Sequence, residues 1–226
     1  MRVAVVIPAF QAASTIGDIV ARAKTAVPDA LVFVVDDGST DGTGDAGREQ
    51  GATVITHPRN RGKGLALRTG IARACTEGVS AIVTIDADGQ HPPAEIPRLL
   101  EPIAQNRADL VLGARRRDGT MPASRRLSNW LSAVLASRIG GQVVKDAQTG
   151  FRAFTRRVAE RIQPAGDRYE YEANFLLDAL RAGFRVTSVD VPTMYGSRSY
   201  FRALGDTWRV ARVFARHAGR IIMGAT

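Results

Sequence analysis

The sequence is poor in cysteine, in aromatic residues and in long apolar segments. Its 226 residues include one cysteine, Cys75, which excludes a fold held together by internal disulfides. No uncharged apolar run approaches the about 20 residues that cross a bilayer, and Met1 and Arg2 lead directly into a strand-like segment rather than a signal peptide. These absences predict a protein of a reducing compartment that is neither secreted nor membrane-spanning.

The rest of the composition is that of an ordinary globular protein. Hydrophobic residues make up 45% of the chain and charged residues 23%, which excludes a disordered chain, a collagen and a coiled coil. A length of 226 residues fits one large α/β domain. The chain has no internal repeat and no linker, so we expect a single domain over residues 1–226.

The positive charge is concentrated in the second half of the chain. Residues 1–112 carry 11 basic and 13 acidic side chains, whereas residues 113–226 carry 20 basic and 9 acidic ones, and the net charge is +9. Such an asymmetry indicates a phosphate-rich partner, which is a nucleic acid, an anionic membrane surface or a phosphorylated substrate.

Short runs of β-branched residues alternate with helical periodicity. The predicted strands of the first half are residues 3–8, 31–36, 53–57, 81–86 and 110–113, and its predicted helices are residues 18–26, 43–50, 64–76 and 94–106. The second half predicts helices over residues 125–139, 172–182 and 201–222 and a strand over residues 186–191. This alternation is typical of a parallel sheet with helices on both faces, in which ligands bind at the carboxyl ends of the strands.

Paired acidic residues follow two of the predicted strands. Asp36 and Asp37 end the second strand, and Asp86 and Asp88 lie just after the fourth. One carboxylate of such a pair can meet a sugar hydroxyl while the other binds a hard divalent cation, although a helix-capping turn would use the same residues. Dinucleotide-binding and P-loop motifs are excluded, because strand one ends without glycine and residues 62–64 lack the flanking Gly and Ser/Thr. None of the three histidines has a second ligand at metal-binding spacing.

The order of the motifs resembles that of the family 2 glycosyltransferases with a GT-A fold, and within that family the dolichyl-phosphate and polyprenyl-phosphate mannosyl- and glucosyltransferases. The resemblance covers roughly residues 1–200, and it is carried by residues 6–10, 36–39, 60–64, 86–90, 113–115 and 148–152. It implies an α/β GT-A fold, with a Rossmann-like, mostly parallel sheet flanked by helices and with amphipathic helices in the second half. It also implies three parts of the single domain, which are a nucleotide-sugar-binding half (1–114), an acceptor-binding half (115–200) and a C-terminal amphipathic helix (201–226).

The resemblance further implies roles for individual residues. The donor nucleotide would be bound by Pro8, Ala9, Asp36, Asp37, Lys63, Asp86 and Asp88. A divalent cation, Mg²⁺ or Mn²⁺, would be held by Asp86, Asp88 and Gln90. The acceptor phosphate would be held by Arg115, Arg125, Arg126 and Ser128. A loop that closes over the donor would contribute Ser197, Arg198, Ser199 and Arg202.

The catalytic residues depend on the acceptor. A sugar hydroxyl needs a general base, for which Asp146 and Glu172 are the candidates, whereas a phosphate monoester is already an anion and needs only cations that position it. The Arg-rich second half favours the phosphate. The cation held by Asp88, with Asp86 and Gln90, would then neutralise the departing diphosphate, and Arg115 would add positive charge. At residues 11–12 the chain has Gln-Ala where the family commonly has Asn-Glu, which leaves a nucleotide contact there open.

Two helices have a pattern typical of contact with a membrane surface. In the predicted helix over residues 201–222, the apolar side chains lie opposite a stripe of four arginines, which are Arg209, Arg212, Arg216 and Arg220. Residues 127–139 carry a second apolar stripe, which includes Trp130 and Leu131. The same patterns would also serve helices that pack on the core of the protein.

We therefore expect an inverting, metal-dependent glycosyltransferase that moves a hexose, mannose or glucose, from a GDP- or UDP-sugar to a polyprenyl phosphate. It would act at the cytoplasmic face of the membrane, attached by its amphipathic helices or by a membrane-anchoring subunit, and it would not bind nucleic acid. Three alternatives stay open. The acceptor could be a hydroxyl of a cell-wall or polysaccharide glycan, the chain could be a basic nucleic-acid-binding module, as an isoelectric point of about 10.7 permits, or it could be an inactive scaffold.

Overall fold

A seven-stranded mixed sheet forms the centre of the computed structural model, which describes residues 1–115, 123–168, 170–192 and 213, and only the backbone of residues 123–128. The strands are β1 (Val3–Ala9), β2 (Leu31–Asp36), β3 (Thr53–Thr56), β4 (Ala81–Thr84), β5 (Leu110–Arg115), β6 (Arg152–Thr155) and β7 (Val186–Val191). Their order across the sheet is β3-β2-β1-β4-β6-β5-β7. Strand β6 runs antiparallel to both of its neighbours, and the other paired strands are parallel.

Helices connect most of the strands. Within the described residues they are α1 (Ala13–Ala26), α2 (Thr43–Glu49), α3 (Lys63–Thr76), α4 (Ile96–Ala104), α5 (Ala123–Gly140), α6 (Arg156–Arg161) and α7 (Glu170–Arg181). A 3₁₀ turn over Pro93–Glu95 precedes α4. The predicted fold class, a mostly parallel sheet flanked by helices, is confirmed.

Strand β6 and helix α6 are the elements that the sequence analysis did not predict. Strand β6 has only four residues and follows the loop around Gly150, so it offers too few positions for an alternating pattern to be recognised. It nevertheless lies inside the sheet, between β4 and β5. The antiparallel insertion therefore interrupts the parallel order that the alternation of strands and helices predicts.

Both faces of the sheet are covered, and every side chain of β1 is buried. Alternate residues point to opposite faces, so that Val6 packs in the cluster that contains α3 and α7, whereas Val5 and Ile7 pack in the cluster that contains α1 and α4. Continuous burial is typical of a central parallel strand. The polar residues that follow β1, β2 and β4 consequently share one edge of the sheet, between the two helical layers.

Strand β6 brings the loop before it to the carboxyl end of β4. Thr84 is in register with Arg152, and the Thr84 hydroxyl donates to the carbonyl oxygen of Gly150 at 2.9 Å. A Cβ on residue 150 would lie 2.5 Å from Oδ2 of Asp86. Only glycine allows this loop to pass so close to the acidic residues of the second pair.

The apolar stripe predicted on residues 127–139 is divided in the structure. Leu135 and Ile139 of α5 are partly buried and pack against the core, whereas Trp130 and Leu131 are 49% and 50% exposed. The other predicted amphipathic helix, 201–222, lies outside the described residues apart from Val213. In the part of the chain that the structure describes, no helix combines the length and the hydropathy of a membrane span.

We expect Gly70→Ala to lower the free energy of unfolding by about 1–2 kcal/mol, because a Cβ on this residue of α3 would collide with Val6 and press on Val35. Gly17→Ala in α1 is the matched control, since its Cβ would meet only ordinary contacts, the nearest being Gln50 Cγ at 3.6 Å. It should raise the stability by up to about 1 kcal/mol through helix propensity. Urea unfolding measures both, and a shift of the same sign in the two variants would contradict the packing described here.

Candidate active site

The ends of β1 and β2 form one wall of the candidate site. Pro8 and Ala9 are buried at the end of β1, and Ala9 is in register with Asp36. The Asp36 carboxylate is buried and accepts a hydrogen bond from the N–H of Ser39 at 3.0 Å. The N–H of Asp37 donates to the carbonyl oxygen of Ala9 at 2.8 Å, which holds the first acidic pair against β1.

The side chain of Asp37 is committed to the loop that precedes α3. Its carboxylate accepts hydrogen bonds from the N–H of Arg61 at 3.0 Å and of Gly62 at 2.7 Å. Nδ1 of His57 lies 2.7 Å from Oδ1 of the same carboxylate. Asp37 therefore shapes the backbone from which α3 begins.

Helix α1 starts without a capping side chain of its own, because Ala12 occupies the N-cap position. The N–H groups of residues 11, 12 and 13 donate instead to side chains of the turn after β2, namely Ser39, Thr43 and Asp41. Gln11 has a φ of +52° and its amide exchanges hydrogen bonds with Thr40 at 3.1 Å. The Gln-Ala pair at residues 11–12 thus ties the start of α1 to the first acidic turn.

A lysine with little exposure joins the second acidic pair to α7. Nζ of Lys63 lies 2.7 Å from Oδ1 of Asp86 and 3.0 Å from Oε2 of Glu172. Burial by itself would lower the pKa of Lys63, but the charges of the two carboxylates outweigh it and raise that pKa. Burial raises carboxyl pKa values, and the Lys63 charge reverses this for Asp86, whose pKa is lowered. The pKa of Glu172 stays raised, because burial and the Asp86 charge outweigh Lys63 there.

Among the acidic residues grouped around Lys63 and Arg115, Asp88 forms no ion pair with any described side chain. Its Oδ1 accepts the N–H of Gln90 at 3.0 Å, and burial together with the Asp86 charge raises its pKa. An uncompensated carboxylate of this kind is a ligand that a hard divalent cation takes. No three His, Cys, Asp or Glu side chains of the described residues are grouped to enclose a cation. Asp88 is therefore suited to be one ligand of Mg²⁺ or Mn²⁺, whose other ligands would be water and phosphate oxygens.

Arg115 and Asp146 form a bidentate ion pair beside the acidic cluster. Nε and Nη2 of Arg115 donate to the two carboxylate oxygens of Asp146 at 2.8 and 3.1 Å. Burial by itself would raise the pKa of Asp146, but the charge and hydrogen bonds of Arg115 lower it. Both oxygens of Asp146 are thus engaged, and the carboxylate holds the guanidinium in one orientation.

Arg152 is a residue of the site to which the sequence analysis assigned no role. Its side chain is buried and donates to three carbonyl oxygens, those of Thr149 at 2.8 Å, Glu172 at 2.7 Å and Ala147 at 3.2 Å. These bonds join the loop before β6 to the first turn of α7. The signal in the sequence was its place in the motif over residues 148–152, which did not reveal that the arginine points inward.

His91 is a buried histidine close to the charges of the cluster. Its ring centroid is 5.4 Å from that of Phe151, and neither ring nitrogen forms a hydrogen bond with a residue that the structure describes. Burial lowers the pKa of His91 to about 4 against the opposing charge of Asp86, so the ring is neutral at pH 7.

The predicted site residues are thus placed in three groups. The structure brings together Lys63, Asp86, Asp88, Arg115, Asp146 and Glu172 near the carboxyl end of β4, with Gln90 partly exposed beside Asp88. Pro8, Ala9, Asp36 and Asp37 form the neighbouring wall at β1 and β2. The remaining ones lie outside the described side chains, and their roles stay predictions; they are Arg125, Arg126, Ser128, Ser197, Arg198, Ser199 and Arg202.

Comparison with solved structures assigns the fold. The chain superimposes on glucosyl-3-phosphoglycerate synthase from Mycobacterium tuberculosis, solved in complex with Mn²⁺, uridine diphosphate and glucosyl-3-phosphoglycerate, with a TM-score of 0.80. The sequence identity is 23%, and the superposition covers 96% of this chain and 80% of that chain. The fold is that of the GT-A glycosyltransferases.

The chain belongs to glycosyl transferase family 2, whose model matches residues 4–163, and it is a glycosyltransferase. It is 32% identical over 210 residues to the undecaprenyl-phosphate mannosyltransferase of Micrococcus luteus, covering 88% of this chain and 85% of that protein. It is also 32% identical over 210 residues to the polyprenol monophosphomannose synthase of Mycolicibacterium smegmatis, covering 87% of this chain and 78% of that protein. The predicted family and enzyme class are confirmed.

We expect Asp146→Asn to lower the free energy of unfolding by about 2–4 kcal/mol at pH 7, because it leaves the Arg115 guanidinium without its buried counter-charge. The pKa of Asp146 is lowered by folding, so its contribution is complete above the unfolded value of about 3.9 and is lost as the pH falls through the folded value. The difference between wild type and variant in urea unfolding should therefore shrink below about pH 4.

Asp190→Asn is the matched control for this substitution, since the pair of Asp190 with Lys145 is half exposed on both sides. It should cost less than about 1 kcal/mol at pH 7. Equal losses in the two variants would show that the Arg115–Asp146 pair is not buried as described.

Proposed function

We propose that this glycosyltransferase moves a hexose, mannose or glucose, from a GDP- or UDP-sugar to a polyprenyl phosphate, with inversion at the anomeric carbon. The observation that carries the proposal is that both candidate bases are paired with cations, Glu172 with Lys63 and Asp146 with Arg115. A hydroxyl acceptor requires a group that takes its proton, whereas a phosphate monoester is already an anion. The names of the relatives from Micrococcus luteus and Mycolicibacterium smegmatis, given above, support the same class of acceptor.

The part of the chain up to residue 114 binds the nucleotide sugar in this proposal. Pro8, Ala9 and Asp36 line the wall for the nucleoside, and Asp37 acts on that wall through the loop before α3. Asp88, with Asp86 and Gln90, holds Mg²⁺ or Mn²⁺, for which the Mn²⁺ and uridine diphosphate in the Mycobacterium tuberculosis structure are a precedent. When bound, the cation neutralises the charge that develops on the departing diphosphate.

The chain's own cations complete the electrostatic stabilisation. Arg115, held in one orientation by Asp146, faces the acidic cluster and adds positive charge where the diphosphate leaves. Residues 115–200 bind the acceptor, whose phosphate is aligned for a single displacement by Arg125, Arg126 and Ser128. The loop that closes over the donor contributes Ser197, Arg198, Ser199 and Arg202.

A polyprenyl acceptor requires that the enzyme work at a membrane surface, which we place at the cytoplasmic face. Trp130 and Leu131 of α5 are half exposed and are suited to the interfacial region of a bilayer. The arginine stripe and apolar side of residues 201–226 form a second contact with anionic lipid. A membrane-anchoring subunit would be an alternative means of attachment.

The donor half of the proposal is tested by thermal unfolding with GDP, UDP and their hexose conjugates, with and without Mn²⁺ or Mg²⁺. A ligand at about 100 times its Kd stabilises the native state by about 2.7 kcal/mol, which raises Tm by about 5–10 °C for a chain of this size. Asp88→Asn should remove the metal-dependent part of the shift, whereas the exposed-carboxylate control Asp190→Asn should retain it. The absence of any shift in the folded wild type would exclude the proposed donor.

The acceptor half is tested by transfer of labelled hexose to a polyprenyl phosphate and, in parallel, to the polyprenol that differs from it only in the phosphate. We expect a product with the phosphate alone, because both candidate bases are ion-paired with cations, whereas a phosphate acceptor needs no base. Comparable transfer to the polyprenol, or to a glycan hydroxyl, would overturn the assignment of the acceptor.

A further inference from the structure

A chain of hydrogen-bonded polar side chains runs from Thr69 through His57 to Asp37, and the function proposed above assigns no role to its first two members. Nε2 of His57 is 3.1 Å from the hydroxyl oxygen of Thr69, and Nδ1 of His57 is 2.7 Å from Oδ1 of Asp37. Since an ionised carboxylate only accepts hydrogen bonds, Nδ1 of His57 carries a hydrogen and donates a hydrogen bond to Asp37. His57 and Asp37 are 8% and 3% exposed, so the bond between them is shielded from water.

The same carboxylate of Asp37 holds the backbone that leads to Lys63. Its two oxygens accept the N–H groups of Arg61 and Gly62, the residues immediately before α3. Gly62 has a φ of +105°, and a Cβ on it would collide with the carbonyl oxygen of Asp167. The backbone at this point is therefore held on one side by Asp37 and enclosed on the other.

The position of Lys63 follows from that of the preceding two residues. Lys63 is the first residue of α3, and its ammonium lies between Asp86 and Glu172. Gly64, one residue later, packs so closely on α7 that a Cβ would lie 2.6 Å from Cβ of Tyr171. A displacement of residues 61–62 would consequently be transmitted to the lysine rather than absorbed by the helix.

We infer that His57 is a positioning residue of the donor site, which acts with Thr69 through Asp37 and residues 61–62 on the ammonium of Lys63. The inference rests on the proposed function only where its effect is measured as donor affinity. His57 reaches the acidic cluster only through Asp37 and residues 61–62 in the bonds that define this path, so its effect on the metal and diphosphate end of the donor is expected to pass through Lys63. A buried histidine with a purely structural role would instead weaken folding and donor binding independently of that lysine.

The first experiment needs no ligand and uses the fact that the chain has only three lysines, Lys24, Lys63 and Lys145. In protein labelled with ¹³C and ¹⁵N at the lysine side chain, each ε-CH₂ and ammonium group gives a resolvable NMR signal. His57→Phe and Thr69→Val should shift the Lys63 signals, and Thr69→Ser, which keeps the hydroxyl, should leave them near the wild-type position. The signals of Lys24 and Lys145 are internal controls and should not move. A Lys63 signal unchanged in His57→Phe would overturn the inference.

The second experiment measures the affinities for GDP and for UDP in the presence of Mn²⁺ by calorimetry in the wild type, His57→Phe, Lys63→Met and the double variant. We expect His57→Phe to weaken binding about tenfold, as is usual for partners that orient a binding residue, and the double variant to bind no more weakly than Lys63→Met. Additive effects of the two substitutions would overturn the inference. His57→Asn retains a donor toward Asp37 and should restore most of the affinity.

The two experiments separate this inference from the proposed function. If the folded wild type bound no nucleotide, the donor proposal would fail while the NMR measurement would still decide whether His57 positions Lys63. If His57→Phe did not fold, Thr69→Val, which removes a single hydroxyl from α3, would provide the same comparison. Thr25→Val, which removes an exposed helical hydroxyl bonded only to its own helix, is the matched control and should change neither readout.

Discussion

Acidic side chains packed close together at the end of a sheet are stabilised by a nearby opposite charge, and Lys63 provides one for two of them at once. Its ammonium joins Asp86, after β4, to Glu172 on α7, and the helix that carries it begins directly at this contact. Leaving one such charge unpaired costs several kcal/mol, so the mutual positions of β4, α3 and α7 are constrained by a single side chain. The close glycine contact between α3 and α7 exists because the two helices are held together there.

The remaining charges of the site are arranged around that cluster. Arg115 is balanced by Asp146, and the buried guanidinium of Arg152 is satisfied by three carbonyl oxygens rather than by a carboxylate. Of Asp86, Asp88, Asp146 and Glu172, this leaves Asp88 without a salt bridge to a described residue, in a position where burial and a like charge already raise its pKa. The site is therefore electrostatically incomplete at one point, which is where a cation and an anionic leaving group would complete it.

Much of this architecture was predictable, because it depends on short-range patterns. Apolar runs indicated every strand but β6, and the rule that ligands bind at the carboxyl ends of parallel strands drew attention to Asp36, Asp37, Asp86 and Asp88. The ion pairs of the two candidate bases, Asp146 and Glu172, could not be predicted from the sequence. Arg115 is 31 residues from Asp146, and Lys63 is more distant still from Glu172. His57 was likewise assigned no metal role for want of a neighbouring ligand, yet its partners are 20 and 12 residues away and on other elements.

The sequence by itself determined the chain order of the strands and helices other than β6 and α6 and the places where acidic residues gather, because hydrophobic periodicity and strand ends are local properties of the chain. The fold family was indicated by the resemblance of its motifs to those of a known family. Only the tertiary structure decided which charges neutralise one another. It also decided that β6 enters the sheet between β4 and β5, and that the buried histidine behind the site faces Asp37. The physical reason is that each of these outcomes depends on distances between segments remote in sequence, and an ion pair or a buried hydrogen bond forms only where packing brings its two groups within about 3 Å.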